Sequence, residues 1–152
     1  MLPATTARVP LHTPQRYNEA IRKQTEENIA RVAAGGPRAI EQRLRELDQE
    51  WDMERSLETN ASIVALIGLG LGTFVDRRFY ALPGLVCGFL LQHALQGWCP
   101  PVPLFRHLGI RTASEIDYER YALKALRGDF RSLTETDGRK SSTPEAIAAA
   151  EL

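Results

Sequence analysis

The sequence is short of nearly everything that would mark a known chemistry. Its 19 basic and 19 acidic residues cancel to a formal net charge of zero, which removes the global positive field that nucleic-acid binding needs. No nucleic-acid partner is expected. It has two cysteines, Cys87 and Cys99, too few for a disulfide framework and without the spacing of a zinc site. Neither a metal nor a cofactor is expected. Lysine is scarce, arginine outnumbering it 16 to 3. The arginines are spread along the flanks and form no basic block, so the excess reads as compositional bias and not as phosphate recognition. The opening MLPATTARVPLHTPQ holds no apolar run, and no cleavable signal peptide is expected. A chain of 152 residues has room for one ordinary domain.

What is present is helical periodicity. Thr13 can N-cap a helix running to Ala34, Pro14 suits its first turn, and Gly35-Gly36 supplies the stop. Pro37 then opens a second helix in which Ile40, Leu44, Leu47 and Trp51 recur at spacings of four, three and four. They form one apolar stripe suited to pairing with another helix. Further on, Thr112-Ala113-Ser114-Glu115 has the form of a capping box, which predicts a helix through Arg127 closed by Gly128. From Ser132 onward the composition is polar and small, which predicts a flexible tail with one short helix at Thr143-Pro144.

The mean hydropathy of −0.27 hides a contrast in the middle of the chain. Ala61–Val75 carries no charge, Asp76-Arg77-Arg78 interrupts, and Phe79–Trp98 is again free of Asp, Glu, Lys and Arg. Spanning a bilayer takes roughly 17–25 apolar residues. The second run is long enough, and the first becomes so once Thr59, Asn60 and the stem of Arg77 are drawn in. A buried hairpin in a soluble core is the alternative, but nothing else in the chain is apolar enough to cover two such helices. Flanking arginines (Arg38, Arg43, Arg45 and Arg55 before, Arg106, Arg111 and Arg120 after) put both termini in the cytoplasm.

Gly68-Leu69-Gly70-Leu71-Gly72 has the look of a dinucleotide loop, but the third glycine of that fingerprint falls on Thr73 and no βαβ unit surrounds it. In lipid the same residues read as helix-packing contacts. Gly68 and Gly72 form one GxxxG pair and Gly84 and Gly88 another, packing either within a hairpin or between two chains. Gln92 and Gln96 continue the Gly88 face, as interhelical glue or as the lining of a solute path. His93 lies one residue off that face and has no carboxylate in either span. Cys87 reads as a small hydrophobe. Cys99 is the candidate thiol: Arg106 and His107 follow closely, and nearby positive charge activates a thiol. The alternative is a small filler at a helix stopped by Pro100 and Pro101.

The run from about Asn60 to Thr112 ends in Gly97-Trp98-Cys99-Pro100-Pro101, then Leu104, then Leu108-Gly109-Ile110-Arg111-Thr112. It resembles the YgaP-like transmembrane domain, a two-helix inner-membrane family often catalogued as a domain of unknown function. One extra proline and Val102-Pro103 lengthen the usual gap. The resemblance implies a bacterial inner membrane and dimerisation through the hairpin. Because some relatives carry a rhodanese domain, it also implies a link to sulfane-sulfur handling. This chain shows no rhodanese loop, which puts a sulfurtransferase activity of its own in doubt.

Together these features predict an all-α protein, a transmembrane helical hairpin flanked by cytoplasmic amphipathic helices. The expected divisions are a cytoplasmic helical pair over 1–58, the YgaP-like hairpin and its Cys-Pro exit over 59–112, a cytoplasmic helix over 113–131 and the tail over 132–152. The expected function is a non-enzymatic, dimeric inner-membrane scaffold or small-solute module that meets the bilayer, a second copy and a cytoplasmic protein partner, the last through Ile40, Leu44, Leu47 and Trp51. The alternative is a thiol or sulfane-sulfur relay at the inner membrane face using Cys99. A soluble helical regulator follows only if the hairpin is not in lipid.

Overall fold

The computed structural model describes residues 7–130, so the expected tail lies outside the described residues. Every regular element among them is a helix: α1 (Arg8–Leu11), α2 (Gln15–Ala34), α3 (Pro37–Gln49), α4 (Met53–Phe74), a 3-10 turn (Arg77–Tyr80), α5 (Ala81–Gln96), α6 (Pro101–His107) and α7 (Ala113–Arg127). The chain divides into two compact units, Met1–Lys23 with Trp51–Glu115, and Gln24–Glu50 with Ile116–Leu152.

The helix boundaries follow local chemistry. Pro37 starts α3 at the position where a missing N–H costs nothing. Asp52 caps α4 by accepting from the Arg55 N–H at 2.8 Å. The capping box of α7 forms in both directions: the Thr112 N–H donates to Glu115 Oε2 at 2.8 Å, and the Glu115 N–H to Thr112 Oγ1 at 3.4 Å. Thr13 differs from expectation. Its hydroxyl donates to the Val9 carbonyl at 2.8 Å, closing α1 and not capping α2. Pro100 and Pro101, expected only to stop a helix, also start one, since Pro101 is the first residue of α6.

In the unit of Gln24–Glu50 with Ile116–Leu152, Ile40, Leu44 and Leu47 are buried against Ile116 and Leu123, with Ile29 and Val32 at the edge. The expected partner stripe is therefore covered from within the chain. Burial of this apolar face against α7 is the driving force that an external partner would have needed. Trp51 is the exception, 48% exposed, with the Arg55 guanidinium 4.3 Å over its ring. Glu119, at 0% exposure, is held by a two-pronged bond from Arg43: Nε to Oε1 at 2.8 Å and the second terminal nitrogen to Oε2 at 3.2 Å. That bond raises the Arg43 pKa above its ordinary value.

In the other unit, Val9, Met53, Leu57, Cys99 and Val102 make the core, with Phe89, Phe105 and Ile110 packed against it. α4 and α5 lie antiparallel, as Glu54 meets His93 at one end and Gly72 meets Tyr80 at the other. A Cβ added at Gly68 would stand 2.7 Å from Pro83 Cδ, and one at Gly72 2.7 Å from the Tyr80 ring. This glycine pair thus serves the α4–α5 contact. A Cβ at Gly84 or Gly88 meets nothing within 4 Å, so that pair faces outward.

Arg106 departs most from expectation. The residue read as a cytoplasmic surface charge is 1% exposed. It donates to both Glu115 carboxylate oxygens at 2.7 and 2.8 Å, to Asn18 Oδ1 at 2.8 Å and to the Ile110 carbonyl at 3.2 Å. Burial pushes the Glu115 carboxyl up, but the Arg106 bond and the Thr112 N–H outweigh it and hold the group below the usual carboxylate range.

Candidate functional site

The end of α5 is built to turn the chain back on itself. Gly97 takes a left-handed conformation (φ 80) and its N–H donates to the His93 carbonyl at 2.7 Å. Only glycine fits here twice over: the conformation disfavours a side chain, and a Cβ would come within 2.6 Å of the Arg8 carbonyl oxygen. The reversal carries Trp98 and Cys99 back beside the last turn of α5. Cys99 packs at 3% exposure, and its carbonyl then accepts from the Val102 N–H as α6 begins.

His93, on that last turn, is 4% exposed. Its Nε2 lies 2.9 Å from Glu54 Oε2, so the carboxylate thought to be missing is supplied from the first turn of α4, just outside the apolar run. The bond from His93 holds the Glu54 carboxyl below its usual range; partial burial opposes this, and Arg8, 4.0 Å away, adds to it. Arg8 is itself placed by a 2.6 Å bond to the Ala94 carbonyl. The other ring nitrogen, His93 Nδ1, is buried and makes no hydrogen bond. The Cys99 thiol interacts with the ring as its second polar neighbour. A carboxylate accepts only, so in the neutral ring the proton sits on Nε2 and Nδ1 is left as an acceptor. Glu54, His93 and Cys99 thus neighbour one another in that order, with no hydrogen bond between Nδ1 and the thiol.

Cys99 also lines a half-open cleft of about 220 Å³ between α4 and α5. Leu57, Ala61 and Val64 form one wall, Leu85, Val86, Phe89 and Leu90 the other, and Pro100 and Pro101 close the end beside the thiol. Asn60 is the one amide side chain on its wall.

The other expected site residues fall as follows. Cys87 is exposed. Arg106 is committed to Glu115 and Asn18, and the His107 ring meets the Tyr17 ring edge-on at 5.5 Å; His93 is the basic group at the thiol. Gln92 is half-buried and Gln96 exposed. The polar links between α4 and α5 are His93–Glu54 and the 3.0 Å contact of the Thr73 and Tyr80 hydroxyls. Among the described residues no group of three His, Cys, Asp or Glu side chains could hold a metal ion. No protein-family model, no curated protein and no solved structure matches this chain.

Proposed function

We propose that this is a membrane-anchored helical protein that presents a histidine-assisted thiol at the polar end of its inserted helices. The observation that supports anchoring is the outward direction of the apolar side chains on α4 and α5. Leu66, Ile67, Phe74, Leu85 and Leu91 are all exposed, and so many large apolar side chains facing outward from two helices are rare on a monomer in water. Within Pro37–Phe74, an 18-residue segment is apolar enough to cross a membrane, with mean hydropathy 1.4 and 17% of it buried. At 1.5 Å per residue, α5 is about 24 Å long, which with its flanking aromatic residues approaches a hydrocarbon core of roughly 30 Å.

In this reading Asp76, Arg77 and Arg78 lie at the far face, and the Glu54–His93–Cys99 cluster lies at the near, cytoplasmic face of a bacterial inner membrane. The two-helix family that Asn60–Thr112 resembles would share this arrangement. A dimeric scaffold is the second reading, and the open Gly84/Gly88 pair favours it: in lipid, outward small residues let a second copy approach closely. Alkaline carbonate extraction tests the anchoring. Retention in the membrane pellet is expected; release into the supernatant would overturn it. N-ethylmaleimide labelling tests the thiol, with Cys99 expected to react about 100-fold faster in the native chain than in a His93→Gln chain.

A further inference from the structure

Cys99 both neighbours the His93 ring and lines the apolar cleft, and that juxtaposition narrows the substrate. We propose that Cys99 is an acyl-acceptor site that takes a long-chain acyl group from an acyl thioester, the chain lying in the cleft between α4 and α5. The proposal rests on the thiol reading above and adds its substrate class.

Three observations carry it. First, the thiol is not alone: His93 is buried at 4% exposure with an unpartnered Nδ1 and a carboxylate on its other nitrogen. A buried ring nitrogen without a partner costs free energy whether it carries a proton or a lone pair, and the adjacent thiol is the polar group with which it can exchange a proton. Second, the space next to the thiol is apolar on both helices apart from the Asn60 amide, with Leu57, Ala61 and Val64 on one side and Leu85, Val86, Phe89 and Leu90 on the other. Its volume of about 220 Å³ lies below the roughly 300–1,000 Å³ that encloses a drug-sized ligand. A cleft that is narrow, half-open and without a charged wall residue suits an unbranched chain whose remainder runs on into lipid. It does not suit a charged sulfur donor or a peptide. Third, Cys87 on the same helix is exposed and has no such surroundings, so the molecule contains its own control.

The chemistry balances without an oxidant. His93 Nδ1 takes the proton of the Cys99 thiol, and Glu54 stabilises the resulting imidazolium. The Cys99 sulfur attacks the thioester carbonyl carbon; a new carbon–sulfur bond forms and the bond to the departing thiol breaks. His93 returns the proton to that leaving sulfur, giving an S-acyl cysteine and a free thiol.

The test uses the full chain in nonionic detergent with palmitoyl-coenzyme A, read by intact mass and by hydroxylamine lability. One acyl group is expected on Cys99. It should be lost in Cys99→Ser, kept in Cys87→Ser, and gained about 100-fold more slowly in His93→Gln, the lower range for a general base. Ala61→Phe narrows the cleft beside the thiol and should reduce palmitoylation at least tenfold. N-ethylmaleimide labelling of Cys99 in the native chain, measured beside it, reads thiol reactivity separately. Equal acylation of Cys87 and Cys99, or an Ala61→Phe chain that takes palmitoyl groups at the native rate, would overturn the proposal. Fast, His93-dependent maleimide labelling with no acyl transfer would overturn the acyl proposal alone and leave the thiol reading standing.

Discussion

Replacing Arg106 by Met should destabilise the unit it is buried in by about 3 kcal/mol, within the roughly 3–5 kcal/mol for removing one partner of a buried ion pair. The structure supplies the reasoning. The guanidinium is 1% exposed and makes four hydrogen bonds to three partners. Met fills much of the same volume, so little of the loss is cavity and most is electrostatic. What remains is a Glu115 carboxylate, 23% exposed, and Asn18 Oδ1 without its donor. The Thr112 N–H still serves Glu115, and Arg106 Nε was already unpartnered, which together place the loss near the lower end.

Urea unfolding in detergent, followed by far-ultraviolet circular dichroism, reads the loss directly. The companion chain Arg106→Met with Glu115→Gln should recover more than about 1 kcal/mol, because the stranded charge goes too. A loss below about 1 kcal/mol for the single variant, or no recovery in the double, would show that this pair is not the buried link described. The same pair fixes an acid dependence. Glu115 has its folded pKa lowered from 4.5, so its contribution is complete above the unfolded value and fades as pH falls below 4.5 through the folded one. The native chain should lose stability over that window, and Arg106→Met should lose less.

Gly68→Ile should break the α4–α5 contact and lower the unfolding midpoint, since even a Cβ there meets Pro83 at 2.7 Å. Gly88→Ile should leave the midpoint nearly unchanged and instead reduce the dimer fraction in detergent by size-exclusion light scattering; an unchanged mass would remove the dimer reading. Gly97→Ala imposes a side chain on a left-handed residue packed against Arg8. It should cost at least about 1 kcal/mol and slow Cys99 labelling, whereas native stability together with native labelling would contradict the turn described here.

Local signals carried far. Gly35-Gly36, Pro37, the Thr112–Glu115 box and Gly128 are punctuation that acts within four residues; α2 and α7 begin and end, and α3 begins, at or close to the positions they predict, while α3 stops at Gln49, short of Trp51. What failed was long-range pairing. Glu54 and His93 are 39 residues apart, and Arg106 and Asn18 are 88 apart; no periodicity within either helix signals the other. An arginine near the end of an apolar run has the same local sequence whether it faces water or a buried glutamate. The Ile40/Leu44/Leu47 stripe was legible as a helix face, but its occupant was not, because the matching apolar positions of α7 lie about 70 residues on and look equally suited to an outside partner. Pro101 was ambiguous for a different reason. Proline ends one helix and starts the next with equal ease, and only the turn at Gly97 decides that it does both.

Activation of the buried thiol by the imidazole beside it is the step on which the proposed chemistry depends. The direct measurement is the second-order rate of N-ethylmaleimide reaction at Cys99 in Cys87→Ser protein at neutral pH, with and without His93→Gln, both folded by circular dichroism. Assistance by His93 predicts a rate about 100-fold higher with the histidine present. Equal rates in the two chains, or a Cys99 that reacts only after denaturant is added, would make it a core side chain and nothing more.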